Sequence, residues 1–241
     1  MRTLVVGDIH GGLKALEQVL EKVNPSQNDQ FIFLGDYVDG WSESAETISF
    51  LMAFRKKYPC VFLRGNHDEL TYNYIKHGDA PPLWLNHGGR ATQKSYEKVP
   101  LEAIEDHLSF FQNLMNFHVD SKNRLFVHAG FTNLNGPQHE YYPNLVYWDR
   151  TLWEMACSLD KSLPKNHSLY PSRLKLFSEI YIGHTPTTRL GETVPVQQAN
   201  VWNLDTGAAF KGPLTIMDVD TKEIWQSNPV FELYPAEKGR N

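Results

Sequence analysis

The chain has 241 residues, with 23 Lys and Arg against 28 Asp and Glu, so its net charge is −5 when the histidines are neutral. Hydrophobic residues make up 41% of it, which is enough to build a packed core and excludes wholesale disorder. The acidic balance argues against a dedicated nucleic-acid binder, because such proteins normally carry a basic surface. We therefore expect a globular protein without a nucleic-acid partner.

The sequence also favours a reducing compartment. It contains two cysteines, Cys60 and Cys157, with no Cys-x-x-Cys pair and no disulfide framework. Met1-Arg2-Thr3 leads straight into an apolar segment, and no apolar run approaches 18 residues. We therefore expect no signal peptide, no membrane partner and a cytoplasmic location.

Apolar spacing in the first third of the chain predicts strands that alternate with helices. The expected strands are 3–6, 31–34 and 60–63. The expected helices are 13–23, a second that is capped by Ser42 or Ser44 and extends to Arg55, and a third at about 67–76. Short links between alternating strands and helices are typical of parallel strands joined by right-handed crossovers.

The remainder of the chain is less regular. Residues 78–89 contain Pro81-Pro82 and are expected to form a structured surface loop, and residues 100–115 a helix. Residues 131–178 are rich in Asn, Pro, Tyr and Trp and are expected to be a partly helical insertion over the active-site face. Further strands are expected at 116–119, 124–128, 180–182, 194–196, 201–204, 213–219 and 223–227. We expect a single α/β domain over residues 1–241, with two packed sheets.

Five of the predicted strands run directly into a polar loop that carries Asp, Asn or His. These loops are Gly7-Asp8-Ile9-His10-Gly11, Gly35-Asp36-Tyr37-Val38-Asp39, Arg64-Gly65-Asn66-His67-Asp68, His128-Ala129-Gly130 and Gly183-His184-Thr185. Ligands of open α/β sheets bind outside the carboxyl ends of the strands, so these loops are placed to share one site.

The loops predict a centre of two metal ions that share Asp36. The first ion is expected to bind Asp8, His10 and Asp36, and the second Asp36, Asn66, His128 and His184. Mixed carboxylate and imidazole ligands suit Mn, Fe or Zn better than Mg or Ca, and we expect two Mn ions. A single Asp-x-His is more often a turn or a cap, so the prediction depends on all five loops occurring together.

In these five motifs the sequence resembles the calcineurin-like metallophosphoesterases. Within that family it is similar to the phosphoprotein phosphatase group, which includes small bacterial and phage-type serine/threonine phosphatases and diadenosine tetraphosphate hydrolases. With weaker similarities at Trp148-Asp149-Arg150 and at 204–208, the resemblance extends from position 4 to about 217. It implies a four-layer α/β/β/α sandwich and the same metal ligands.

The resemblance also implies roles for four more residues. His67 resembles the family's general acid and Asp39 the carboxylate that orients it, while Arg64 and Arg150 match arginines that hold phosphoryl oxygens. We expect a hydroxide between the metal ions to attack phosphorus in line, with protonation of the leaving oxygen by His67.

Two departures from the family pattern bear on the substrate. Gly40-Trp41-Ser42 follows Asp39, where the protein phosphatases usually have Arg-Gly, and Asp68 stands where they have Glu. Trp41 could stack on a base or pack as a rim aromatic.

Three functions follow from these features. The leading expectation is a metal-dependent phosphatase for phosphate monoesters, either phosphoproteins or small phosphate esters. The alternative is a dinucleoside polyphosphate hydrolase. A non-catalytic scaffold is the remote third, because scaffolds on this fold tend to lose ligands that are all present here.

Overall fold

Two five-stranded sheets form the framework of the protein, which a computed structural model describes over residues 1–240. The strands are β1 Thr3–Val6, β2 Gln30–Phe33, β3 Cys60–Phe62, β4 Phe117–Val119, β5 Arg124–Val127, β6 Glu179–Ile182, β7 Val196–Gln198, β8 Val201–Asn203, β9 Pro213–Asp218 and β10 Ile224–Pro229. The α-helices are α1 Leu13–Val23, α2 Ser44–Phe54, α3 Asn66–His77, α4 Pro82–Trp84, α5 Arg90–Tyr96, α6 Leu101–Gln112, α7 Thr151–Ser158 and α8 Val230–Leu233.

Each sheet combines three parallel strands with two strands that pair antiparallel with their neighbours. The first sheet has the order β10-β9-β1-β2-β3, in which β1, β2 and β3 are parallel, β9 pairs antiparallel with β1, and β10 pairs antiparallel with β9. The second has the order β4-β5-β6-β8-β7, in which β5, β6 and β8 are parallel. The five polar motifs therefore begin at the carboxyl ends of β1, β2, β3, β5 and β6.

Side chains of the first sheet alternate between two apolar layers, as the two-residue period of a strand requires. Val6 and Phe33 belong to the layer beneath helices α1, α2 and α6. Their neighbours Val5 and Ile32 belong to the layer between the two sheets. All four side chains are fully buried, and each contributes about 1.5–3 kcal/mol relative to an exposed position.

The second sheet is buried on both faces in the same way. Phe126 and Tyr181 point into the layer between the sheets, where their rings stack with centroids 4.9 Å apart. Leu125 and Ile180 point outward against α7 and the turns around it. The order of layers is therefore helix, sheet, sheet, helix, and the predicted four-layer α/β/β/α sandwich is confirmed.

The predicted surface loop at residues 78–89 is wrong. Pro82 begins α4, where a proline fits because the first helical N–H needs no partner, and a π-helical turn at Leu85–Gly89 continues into α5. The helix kinks at Gly88, whose φ is +108°. A Cβ on Gly88 would lie 2.7 Å from the backbone nitrogen of Gly40, so glycine allows this helix to pack against the loop after β2.

Residues 131–178 contain α7 and three short 3₁₀ turns, at Pro137–His139, Pro143–Tyr147 and Ser172–Lys175. Most of their buried side chains pack on the outer face of the second sheet. Trp148 and Arg150 instead reach the pocket described below. That this segment is an insertion over the active-site face stays a prediction. No helix within residues 1–240 combines the length and apolarity needed to cross a bilayer.

Candidate metal centre

The loop after β1 directs His10 and Asp8 toward one point. His10 is held in the left-handed region, with φ 54°, and is 2% exposed. Its Nδ1 lies 2.8 Å from the carbonyl oxygen of Asp39, and because a carbonyl only accepts, Nδ1 donates. The lone pair is then on Nε2, which lies 3.6 Å from Asp36 Oδ2 and 3.9 Å from Asp8 Oδ2.

Asp36 lies between imidazoles from two different sheets. Its Oδ2 faces His10, and its Oδ1 lies 3.4 Å from His128 Nε2. His128 donates from Nδ1 to the carbonyl oxygen of Leu34 at 2.9 Å, so its Nε2 can also offer a lone pair. The two oxygens of one buried carboxylate thus face two separate ligand groups, as a bridging ligand requires.

Asn66 and His184 complete the second group. The Oδ1 of Asn66, at the start of α3, lies 2.9 Å from His184 Nδ1 and 3.3 Å from His128 Nε2. Ligand atoms of Asp36, His128 and His184 lie within 4.8 Å of one another, and so do those of Asp8, His10 and Asp36. The structure therefore brings together all six predicted ligands, in the two predicted groups.

The donor set fits divalent cations. Asp8 Oδ2 accepts the backbone N–H of His184 at 2.9 Å, but Asp8 Oδ1 is buried without a hydrogen-bond partner in residues 1–240. A buried carboxylate oxygen without a partner is costly unless a cation meets it. Carboxylate, amide and imidazole donors together suit Mn, Fe or Zn.

Burial and charge set the protonation of the imidazoles. Burial lowers the pKa of His10 to about 3 and also lowers the pKa of His184, so both rings are neutral at pH 7. Burial is the largest single effect on His128 and opposes its charged form, but the carboxylates of Asp36, Asp8 and Asp68 together outweigh it and raise the pKa of His128 to about 9. A cation that binds beside His128 must therefore displace a proton.

Asp39 and His67 form a buried pair next to the ligand groups. His67 Nδ1 donates to Asp39 Oδ2 at 2.7 Å, which leaves Nε2 for the pocket. The Asp39 carboxylate also accepts from Trp84 Nε1 at 2.5 Å, from Thr92 Oγ1 at 2.6 Å and from Thr71 Oγ1 at 3.3 Å. Four donors from α3, α4 and α5 thus fix the orientation of Asp39, and Asp39 fixes His67.

A pocket of about 360 Å³ opens beside the cluster. It is lined by Asp36, Asn66, His67, Leu70, Pro81, Leu83, Trp84, His87, Trp148, Arg150, His184, Arg189 and Arg240. Arg150 donates to Thr185 Oγ1 at 2.8 Å, and burial and the nearby charges of Arg189 and Arg240 lower its pKa. No sequence motif pointed to Arg189, Arg240 or Leu83, because chain folding alone brings them to the pocket, whereas Trp148 belongs to the weak similarity at Trp148-Asp149-Arg150.

Arg64 and Trp41 do not line the pocket. The guanidinium of Arg64 pairs with Glu69 and donates to the carbonyl oxygen of Phe111 at 2.9 Å, so its contact with phosphoryl oxygens stays a prediction. Trp41 is fully buried, and its Nε1 donates to the carbonyl oxygen of Ala208 at 2.8 Å. Of the two alternatives for Trp41, packing is correct and stacking on a substrate base is wrong.

We predict that Gly183→Ala removes metal binding beside Asp8. The φ of Gly183 suits alanine, but a Cβ there would lie 2.0 Å from Asp8 Oδ1, so the carboxylate must move away. Metal content after equilibrium dialysis against Mn should fall relative to the wild type. The control is Gly78→Ala, where no atom lies within 4 Å of a new Cβ but φ is +79°. It should lose about 1–2 kcal/mol of stability and no metal. Full metal loading of Gly183→Ala would contradict the assignment.

Comparison with known proteins matches residues 1–209 to the calcineurin-like phosphoesterases. An asymmetrical bis(5'-nucleosyl)-tetraphosphatase, PrpE of Oceanobacillus iheyensis, is 24% identical over 238 residues, which cover 92% of this chain and 90% of that protein. A crystal structure of a candidate diadenosine tetraphosphatase shares 19% identity and a TM-score of 0.61, over 93% of this chain and 92% of the other.

A protein serine/threonine phosphatase of Saccharomyces cerevisiae, described as similar to human phosphatase PP5, shares 14% identity. Its TM-score is 0.58, over 95% of this chain and 80% of the other. At these identities the solved structures support the fold alone. The family match covers most of the chain, and the two ligand groups lie within it. The chain therefore belongs to the calcineurin-like phosphoesterase family and is a metal-dependent phosphoric ester hydrolase.

Proposed function

We propose that this hydrolase acts on dinucleoside polyphosphates, the alternative of the two substrate classes considered from sequence. The observation that carries the proposal is a pocket lined by three arginines, Arg150, Arg189 and Arg240, together with candidate metal ligands and apolar side chains. A monoester brings one phosphate to such a site. A polyphosphate chain brings several, and each can meet a separate guanidinium.

The apolar side of the pocket suits the other part of such a substrate. Leu83 is 69% exposed and Trp148 is 44% exposed, and both line the pocket together with Pro81. Exposed apolar and aromatic side chains beside a charged site favour a ligand with a flat ring. The relative from Oceanobacillus iheyensis, named for action on bis(5'-nucleosyl) tetraphosphates, supports the same substrate class.

We propose two manganese ions as the cofactors. When bound, two divalent cations supply the Lewis acidity that activates water and balances the charge of a phosphoryl group. Asp8, His10 and Asp36 would hold one ion, and Asp36, Asn66, His128 and His184 the other.

In this proposal His67 protonates the leaving oxygen. Asp39 accepts a hydrogen bond from the Nδ1–H of His67 at 2.7 Å, which leaves Nε2 for the pocket. Trp84 and Thr92 hold Asp39 in place, so the acid is positioned before the substrate arrives.

Arg150 is proposed to hold oxygens of the reacting phosphate. Its Nη1 already donates to Thr185 and lies 3.4 Å from the carbonyl oxygen of His184, so the side chain is fixed beside the second ligand group. Trp148 and Arg150 both come from residues 131–178. We propose that this segment forms part of a single domain and covers one side of the site.

The direct test of the substrate class compares turnover on four substrates by the Mn-loaded protein. These are diadenosine tetraphosphate, p-nitrophenyl phosphate, a phosphoserine peptide and a phosphotyrosine peptide, each with and without chelator. We expect chelator-sensitive turnover with the highest kcat/KM on the dinucleotide, by about tenfold or more if one further charged contact is made. Preference for a peptide would replace the proposal with a phosphoprotein phosphatase. No turnover with two metals bound would favour a scaffold.

His67→Asn should leave metal binding unchanged and reduce turnover by about 10²–10⁴-fold on an alkyl phosphate, whose leaving oxygen needs a proton. The loss should be smaller on p-nitrophenyl phosphate, because that leaving group departs without a proton. The control is His77→Asn at the exposed end of the same helix, which should retain full activity. Wild-type turnover of His67→Asn on the alkyl phosphate would rule out the acid role.

A further inference from the structure

The side chain of Arg240 lines the pocket, and one of its guanidinium nitrogens has no hydrogen-bond acceptor within residues 1–240. Its Nε is buried and has no hydrogen-bond partner within residues 1–240. Its contacts are a backbone N–H that donates to the Ala209 carbonyl at 2.9 Å and a guanidinium placed over the Phe210 ring at 5.4 Å. A buried N–H without an acceptor is costly, and this one belongs to a half-buried arginine that lines the pocket where an anionic substrate would bind.

The segment Tyr234–Arg240 is fixed by the loop that follows Asp39. The ring of Tyr234 stacks on Trp41 with centroids 5.3 Å apart, and its hydroxyl donates to Glu43. The carboxylate of Glu237 accepts from the Ser42 backbone N–H at 2.9 Å and from Ser42 Oγ at 2.7 Å. The residues that replace the family's Arg-Gly therefore form the docking surface for this segment.

The docked segment places Arg240 beside the first ligand group. A Cβ on Gly40 would lie 3.6 Å from Arg240 Cγ and 3.1 Å from the carbonyl oxygen of His10, so the arginine stem runs past this point. Arg240 is thus close enough to influence the ligand cluster electrostatically.

Arg150 and Arg240 approach the centre from different sides. Arg150 is fixed at Thr185, next to the second-group ligand His184, whereas Arg240 lies next to Gly40 and the first-group ligand His10. Two guanidinium groups so placed suit two different phosphates of one chain better than a single phosphate.

We propose that the Tyr234–Arg240 segment delivers Arg240 as a binding residue for a phosphate other than the reacting one. Arg240 then selects polyphosphate substrates over monoesters. This inference rests on the proposed function for the identity of the polyphosphate, but the contact itself can be tested by binding alone.

The test compares Arg240→Gln with Arg90→Gln, the same change at an exposed position on α5. Calorimetry on the Mn-loaded proteins measures the Kd of β,γ-methylene-ATP and of inorganic phosphate. Loss of one charged contact should raise the Kd of the polyphosphate analogue about tenfold in Arg240→Gln and leave that of inorganic phosphate within about twofold. Arg90→Gln should match the wild type for both.

The outcomes separate this inference from the proposed function. An unchanged Kd for the analogue, or equal weakening of both ligands, would overturn the role of Arg240. If the wild type fails to hydrolyse diadenosine tetraphosphate while Arg240→Gln still loses affinity for the analogue selectively, the substrate proposal fails and the Arg240 contact stands.

A second variant tests the docking. Glu237→Ala keeps Arg240 but removes both hydrogen bonds to Ser42. Amide hydrogen exchange of Gly239 and Arg240 should accelerate, and affinity for β,γ-methylene-ATP should fall in the same direction as in Arg240→Gln. Faster exchange with wild-type affinity would show that the docked segment does not position Arg240.

Discussion

The carboxylate and backbone of Asp36 join four loops into one centre. Its carbonyl oxygen accepts the N–H groups of Ile9 and His10 at 3.0 and 2.9 Å, so the β1 loop is aligned on the β2 loop. Its Oδ1 accepts the N–H of His67 from the β3 loop at 3.0 Å and faces His128 from the second sheet. Displacing this one residue would separate the ligands of both groups.

This arrangement requires unusual backbone geometry. His10, Asp36, Asp39 and His184 all have positive φ, between 52° and 69°, and none is glycine. Such conformations cost of order 1–3 kcal/mol each and persist only where the surroundings enforce them. The strain therefore lies at the residues proposed to carry the chemistry, and the buried layers on either side of the sheets offset it.

Asp68 helps to hold the backbone around Asp36 in this conformation. Its carboxylate accepts three backbone N–H groups, those of Asp36, Tyr37 and Gly65, each at 2.8 Å. It is fully buried and does not line the pocket. The departure from the family pattern at Asp68 therefore affects how the loops after β2 and β3 are aligned. The departure at Trp41 and Ser42 provides the surface on which the Tyr234–Arg240 segment docks.

The ligand positions could be predicted from sequence because each motif is contiguous and follows a strand whose apolar pattern is plain. Parallel strands place their carboxyl ends together, which brings the loops after β1, β2 and β3 together in one sheet and those after β5 and β6 together in the other. The packing of the two sheets then brings both sets of loops to one site. Trp84 and Arg240 could not be found in this way. Trp84 follows a proline pair that indicates a loop in most sequences but here begins a helix. Arg240 reaches the pocket because Glu237 binds Ser42, and those two residues are far apart in the sequence.

We propose that Asp36 is shared by two metal ions. Diffraction from Mn-soaked crystals, recorded on both sides of the manganese absorption edge, tests it directly. The account predicts two anomalous peaks on opposite sides of the Asp36 carboxylate, one within ligand distance of Asp8 and His10 and the other of Asn66, His128 and His184. A single peak, or two peaks of which either lies out of reach of Asp36, would contradict it.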